Sequence, residues 1–170
     1  MNLIEIMKRI GVYAGSFNPF HVGHADILHQ AFEVFDEVMI AIGRNPEKDK
    51  EMIEVFPRGN PILGNAIVVT YSGLLSDFLN SLNFYGRGKV FLIRGLRNGD
   101  DLQYEQNQIQ FLKEMFPQLK TTFFICNKKF EHVSSSSLRA LKTFSEKEYQ
   151  KYVFAPKMEP EGHGWIEVDN

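Results

Sequence analysis

Apolar runs and amphipathic stretches alternate along the chain, and the alternation predicts strands and helices in turn. Arg9–Ala14, Val38–Gly43, Ala66–Tyr71, Val90–Arg94 and Thr121–Cys126 are rich in Ile, Val and Phe and nearly continuous in apolar character. Strands read that way when both faces of their sheet are covered. The intervening stretches carry helical spacing. His21–Phe35 sets Ile27, Leu28, Ala31, Phe32 and Phe35 on one stripe, and Leu74–Leu82 does the same with Leu75, Phe78, Leu79 and Leu82. Asp100–Phe116 has the clearest boundaries: Asp100 as cap, Gln103 returning a capping-box bond and Pro117 as stop. Its buried face is predicted to carry Tyr104, Gln108, Phe111, Leu112 and Met115. Ser135–Lys142 and Glu146–Phe154 read as two further helices, the second opened by a Ser145 and Glu148 capping box.

This order implies an α/β protein: a parallel five-stranded sheet, right-handed crossovers and helices on both faces. In such sheets ligands bind beyond the carboxyl ends of the strands. Residues 1–154 read as one domain without internal repeats. Residues 155–170, with two prolines and two glycines, read as an extended or partly disordered tail. Arg44 to Asn65, with three prolines and two glycines, reads as a mobile loop.

Bulk properties narrow the function. The 170 residues are 44% hydrophobic and 24% charged, ordinary for a globular domain. A net charge of −2 argues against broad nucleic-acid binding, which needs a basic face. The single cysteine, Cys126, can build neither an intrachain disulfide nor a thiolate zinc site, and it reads as a buried strand thiol. No apolar run reaches membrane-spanning length, and Ile4–Met7 is too short and too charged for a secretory signal. A cytoplasmic setting is the expectation.

The stretch from Gly15 to His24, Gly-Ser-Phe-Asn-Pro-Phe-His-Val-Gly-His, links the first strand to the first helix. Such a turn aims backbone N–H groups, the Ser16 hydroxyl and two imidazoles at one point, where a phosphate fits. Pro19 fixes the turn, Gly15 permits close approach and Gly23 lets a ligand lie on the helix start. His24 would donate to a phosphate oxygen, and an adjacent phosphate would hold its imidazole protonated. No third metal ligand is evident beside the two histidines. A second cluster, Arg94-Gly95-Leu96-Arg97 with Asp101 and Tyr104-Glu105, ends the fourth strand. Its two guanidiniums can grip different phosphates, with Gly95 turning the backbone. A third, Ser134, Ser135 and Ser136 before an apolar-periodic helix with Arg139 beyond, offers another anion site at a helix start.

Ser16 to His24 resembles the (Thr/Ser)-x-x-Pro-x-(His/Thr)-x-Gly-His signature of the nucleotidyltransferases, which have a Rossmann-like fold and transfer a nucleoside monophosphate with release of pyrophosphate. Arg-Gly-Leu-Arg followed by Asp-x-x-Tyr-Glu resembles the hallmark of the phosphopantetheine adenylyltransferase family, and the likeness runs in order from about Arg9 to Phe154. The resemblance implies ATP and 4′-phosphopantetheine as substrates, Mg²⁺ bound mainly through the ATP phosphates, and a homo-oligomer, a hexamer in that family. It makes His24, Lys48, Ser16 and Arg97 the catalytic set, with Lys48 on the transferring phosphate and Arg97 on ATP phosphates. It places ATP against Ser16, Phe17, His24, Gly95, Arg97, Glu105, Ser134, Ser135 and Ser136. The acceptor falls to Ser16, Lys48, Leu74, Leu75 and Arg94. Lys48 enters through Asn-Pro-x-Lys after the second strand; Ser137 is extra to the family pattern. The chain departs from that pattern at Ser16, usually threonine, and at His21, where His-x-Gly-His is commoner in pyridine-nucleotide adenylyltransferases. It also departs at Met52–Asn65, at the longer loop Asn83–Lys89 and in the tail. Two alternatives stay open: an adenylyltransferase for nicotinamide or nicotinate mononucleotide, and a catalytically inactive nucleotide-binding relative.

Overall fold

The five apolar runs become β1 (Arg9–Gly15), β2 (Glu37–Arg44), β3 (Ile67–Ser72), β4 (Lys89–Leu96) and β5 (Lys120–Ile125) in a computed structural model that describes residues 7–44, 56–84, 88–155 and 166–168. A sixth strand, β6 (Ile166–Val168), joins them, and the sheet runs β5-β4-β1-β2-β3-β6. Every pairing is parallel. The five expected strands are all present, and the tail adds a sixth. The tail returns Ile166, Glu167 and Val168 against Val69, Thr70 and Tyr71, giving the exposed backbone of β3 a partner. Three residues are too few to carry a readable period.

Helices α1 (Val22–Val34), α2 (Leu75–Phe84), α3 (Gly99–Met115), α4 (Ser135–Phe144) and α5 (Glu146–Tyr149) follow the expected order. Helix α1 covers one face of the sheet through Ile27, Leu28 and Ala31, which pack with Tyr13, Ile40, Ile42 and Ile93. The other face holds Val12, Met39, Val69 and Leu92 against Phe78, Leu79 and Leu82 of α2. Residues alternating along β1 thus feed two cores, which is why the strand runs are apolar throughout.

Four readings need correction. Helix α3 is capped by Asn98, whose side chain accepts from Asp101 N at 3.1 Å, and not by Asp100. Its predicted buried face is largely outward: Tyr104 is 64%, Phe111 63% and Met115 50% exposed, whereas Ile109 is buried. Asp101 and Glu105 turn inward to meet Arg97 and Arg94, and this rotates the apolar stripe away from the sheet. Helix α5 ends at Tyr149 rather than Phe154. The chain beyond it crosses the start of α1, where Tyr152 O accepts from Val22 N at 2.9 Å and Val153 bridges His21. Finally, the described part of the supposed mobile loop is packed. Phe56 and Leu63 are buried, and Phe56 lies edge-on to Phe20 with centroids 5.5 Å apart.

The chain winds from β1 to β2 and β3 on one side, then returns to place β4 on the other side of β1. The carboxyl ends of β1 and β4 thus flank the switch point where such folds open a crevice.

Candidate active site

A cleft of about 350 Å³ lies at that switch point. Ser16, Phe17 and His24 line it from the β1–α1 turn, Arg94, Gly95, Arg97 and Glu105 from β4 and α3, and Ser134 and Ser135 from the start of α4. The structure therefore brings together three segments far apart in sequence. Ser136 stands beside Ser134, their hydroxyls 3.2 Å apart, but outside the cleft lining. Leu74 is exposed and Leu75 opens α2, and neither lines the cleft. Lys48 lies outside the described residues.

The β1–α1 turn is tightly determined. Its Asn18–Pro19 peptide is cis, and Phe17 has φ 49°, the left-handed region that bulky side chains rarely adopt. The Phe17 ring is buried among Tyr13, Phe20 and Phe56. His21 caps α1: its Nδ1 accepts from Gly23 N at 3.1 Å. A Cβ on Gly23 would stand 3.1 Å from the His21 ring, so this glycine makes room for the capping imidazole. With Val22 N bonded to Tyr152 O, the first amides of α1 have partners inside the protein. The expected phosphate cradle of backbone N–H groups is not at this helix.

The α1 start instead offers the ring of His24. His24 Nδ1 accepts from His21 N at 3.3 Å, which fixes the neutral tautomer with its proton on Nε2. The ring stacks on His21 at 3.7 Å and lies within 5.4 Å of the Phe17 and Phe20 centroids. Burial, then His21 and Arg97, hold its pKa well below the usual histidine value. Burial and Arg97 lower His21 to about 4. At neutral pH His24 therefore presents an uncharged imidazole donor.

The two arginines are held in advance. Arg97 makes a fork to Asp101, 2.9 Å from Nε and 2.8 Å from Nη2, leaving its Nη1 edge for other partners. Arg94 Nη1 donates to Ala14 O at 2.9 Å. Its Nε approaches Glu105 Oε2 at 3.0 Å, but off the N–H direction. The contact is an ion pair in which both buried atoms lack a hydrogen bond. Gly95 lies inside β4, so it does not turn the backbone. A Cβ there would stand 2.8 Å from Ile27 Cγ1, and its absence lets α1 approach β4.

The serines divide their work. Ser134 Oγ accepts from Ser137 N at 3.1 Å and Ser137 Oγ accepts from Ser134 N at 3.0 Å, a capping box that gives the extra serine a structural role. Ser135 Oγ donates to Pro19 O at 3.1 Å, and Arg139 donates to Asn18 O. Ser135 and Arg139 thus hold α4 against the β1–α1 turn, while the Ser134 and Ser137 hydroxyls cap the helix. The amides of Ser135, which lines the cleft, and Ser136 sit in the first turn of α4, where no helical carbonyl can accept from them.

Cys126 is also part of the cleft. It follows the last residue of β5, and burial together with the Asp26 carboxylate pushes its thiol up to about 11. A thiol held protonated is no nucleophile at neutral pH. Its place at a strand's carboxyl end was the available sequence signal. Asp26 gave no such signal.

The cytidylyltransferase-like family matches residues 12–141, from within β1 to within α4, and so takes in all three walls of the cleft. Fold and cleft together define the class, a nucleotidyltransferase of Rossmann-like architecture. The phosphopantetheine adenylyltransferase of Cytophaga hutchinsonii is 36% identical over 138 residues, spanning 78% of this chain and 89% of the relative. That of Porphyromonas gingivalis is 35% identical over 145 residues, spanning 81% and 89%. The chain belongs to the phosphopantetheine adenylyltransferase family. A crystal structure titled as a putative nicotinate-nucleotide adenylyltransferase from Vibrio parahaemolyticus superposes with a TM-score of 0.57, covering 87% of this chain and 88% of that one. At 18% identity it shares the fold alone. Among the described residues no helix is long and apolar enough to cross a membrane.

Proposed function

We propose that the chain transfers an adenylyl group from ATP to 4′-phosphopantetheine, giving dephospho-coenzyme A and pyrophosphate. The observation that carries this reading is the convergence of His24, Arg94, Arg97 and the start of α4 on one cleft, in a chain of this family. An oxygen of the phosphopantetheine phosphate attacks the α-phosphorus in line. The bond to the β-phosphate oxygen breaks, and its electrons leave with pyrophosphate. The attacking phosphate is ionised near neutrality, so the protein need supply no general base, and no covalent enzyme intermediate is required.

Catalysis is then positioning and charge stabilisation. His24 Nε2–H donates to the α-phosphate as negative charge grows on its oxygens. Ser16 and Lys48 take the neighbouring positions that the family pattern gives them. Arg97 and the Ser135 and Ser136 amides hold the β- and γ-phosphates. Arg94 exchanges part of its contact with Glu105 for the acceptor phosphate. Mg²⁺ would neutralise charge on the ATP phosphates. Asp101 and Glu105 already face arginines, so phosphate oxygens and water are the fitting ligands for it. Leu74 and Leu75 are assigned to the pantetheine arm by the family pattern alone. A neighbouring copy in a homo-oligomer would cover the apolar side chains that α3 exposes.

Pyrophosphate release from ATP, measured with 4′-phosphopantetheine, nicotinamide mononucleotide and nicotinate mononucleotide in parallel, tests the assignment. Turnover with 4′-phosphopantetheine alone is expected. Turnover with a pyridine mononucleotide instead transfers the enzyme to that class. ATP binding without release for any acceptor would make it a non-catalytic relative.

A further inference from the structure

One polar cluster beside the cleft touches neither predicted reactant site. Asp26 and Gln30 sit one turn apart on α1 and reach the chain just beyond β5. Asp26 Oδ2 accepts from Asn127 N at 2.8 Å and from Gln30 Nε2 at 3.1 Å. Gln30 Nε2 also donates to Ile125 O at 3.0 Å. Cys126 lies between these two fixed points, and its own N donates to Leu96 O at 2.7 Å. Leu96 directly precedes Arg97, and Asp26 is two residues beyond His24. The segment after Asn127 then runs through a short 3-10 turn, Lys128–Phe130, to Ser134 at the start of α4.

From this arrangement we infer that Asp26 and Gln30 are positioning residues, a two-point backbone clamp that sets the distance between His24 and the β- and γ-phosphate side of the cleft. A single carboxylate and a single amide hold one acceptor and one donor of the β5 exit. They do so on the same helix that carries the catalytic imidazole. The α4 end has its own tie to the turn, through Ser135 to Pro19 and Arg139 to Asn18. The clamp is therefore the attachment to α1 at the other end of the β5–α4 connection, beside the bond from Cys126 N to Leu96 O. Without it, α4 stays hinged at the turn while Arg97 and the exit of β5 lose their fixed reference to His24. Arg94 is held separately, by Ala14 O and Glu105, so the acceptor side does not depend on the clamp.

The inference rests on the adenylyl-transfer reading, and the test separates the two. Wild type, Asp26→Ala, Asp26→Asn and Gln30→Ala are compared by melting temperature, by ATP binding in calorimetry and by KM for each substrate. Asp26→Ala and Gln30→Ala should raise the ATP dissociation constant and KM by about tenfold, the scale of a lost charge-assisted contact, with the 4′-phosphopantetheine KM changed less than about twofold. Asp26→Asn keeps an oxygen for Asn127 N–H and should recover most of the ATP affinity. Unchanged ATP binding in a folded Asp26→Ala overturns the clamp. So does an equal loss for both substrates, the mark of general destabilisation, or an Asp26→Asn as weak as Asp26→Ala. Should Asp26→Ala not fold, Gln30→Ala decides by the same criteria. A wild type that binds ATP but releases no pyrophosphate refutes the adenylyl-transfer reading, and the variants' ATP affinities still judge the clamp.

Discussion

The starts of α1 and α4 face the same cleft, and both follow the carboxyl end of a parallel strand, yet they serve it in opposite ways. At α1 the first amides are taken by Tyr152 O and His21 Nδ1, and a side chain, His24, does the facing. At α4 the side chains are taken, by the Ser134–Ser137 capping box and the Ser135 bond to Pro19 O, and the first-turn amides are what the helix has to offer. A helix start beside a ligand site is therefore not automatically an anion cradle. What matters is which of its donors the fold has left without a partner. The division suits the chemistry. In the proposed reaction the triphosphate end, which only binds, would be met by fixed amides, and the reacting phosphorus by an aimed imidazole.

The largest effect that would break this comparison comes from removing the α1 donor. His24→Ala should lower kcat by about 10²–10³, or ~3–4 kcal/mol of transition-state stabilisation, with little change in ATP KM. Steady-state kinetics would show whether kcat or KM carries the loss. The next difference is in pH dependence, because only the α1 start carries imidazoles. His21 titrates at about 4 in the folded protein, and His24 also lies below its ordinary value. Between there and about 6.5 the unfolded chain binds more protons than the folded one. Stability should thus be full above about 6.5 and fall as pH drops, by up to ~3 kcal/mol through His21. Denaturant titrations across pH would record it. His21→Asn retains a good helix cap without the titration and should flatten the slope.

Smaller substitutions sharpen the contrast at the level of single amides. Proline is tolerated at a helix's first position, and Ser134 already has φ −140° and ψ 156°, the extended backbone that precedes proline comfortably. Ser135→Pro should raise ATP KM by about tenfold, beyond the effect of Ser135→Ala, by deleting one phosphate-facing N–H. Val22→Pro at the corresponding place in α1 should leave ATP KM unchanged and instead lower stability by ~1 kcal/mol through the lost bond to Tyr152 O. Calorimetric melting and kinetics on the same samples separate these outcomes. The smallest change is expected for Ser137→Ala, which loses part of a cap and should cost about 0.5–1 kcal/mol in denaturant unfolding with normal kinetics.

Much of this was legible in the chain. The strands are parallel and covered on both faces, so their apolar runs stand out without tertiary knowledge, and their order leads to the switch point. The strand β6 was not legible, because three residues near the end of the chain acquire meaning only beside β3. The face of α3 misled for a physical reason: Tyr104, Phe111 and Met115 have helical spacing, but Asp101 and Glu105 are drawn inward by Arg97 and Arg94. Periodicity counts apolar residues and cannot see a buried ion pair. Of the candidate site, Ser16, His24, Arg94, Arg97 and Ser135 were readable as chemistry and do share the cleft. The roles within the serine run were not readable. Which hydroxyls cap and which amides remain is decided by Pro19 and Ser137, partners that spacing alone does not reveal.

The most direct test is a crystal structure of the wild-type protein with a non-hydrolysable ATP analogue and 4′-phosphopantetheine. The account predicts the α-phosphate within hydrogen-bond distance of His24 Nε2, the outer phosphates on the Ser135 and Ser136 amides and Arg97, and the acceptor phosphate at Arg94. A triphosphate seated elsewhere, with the α4 amides facing only solvent, would contradict it.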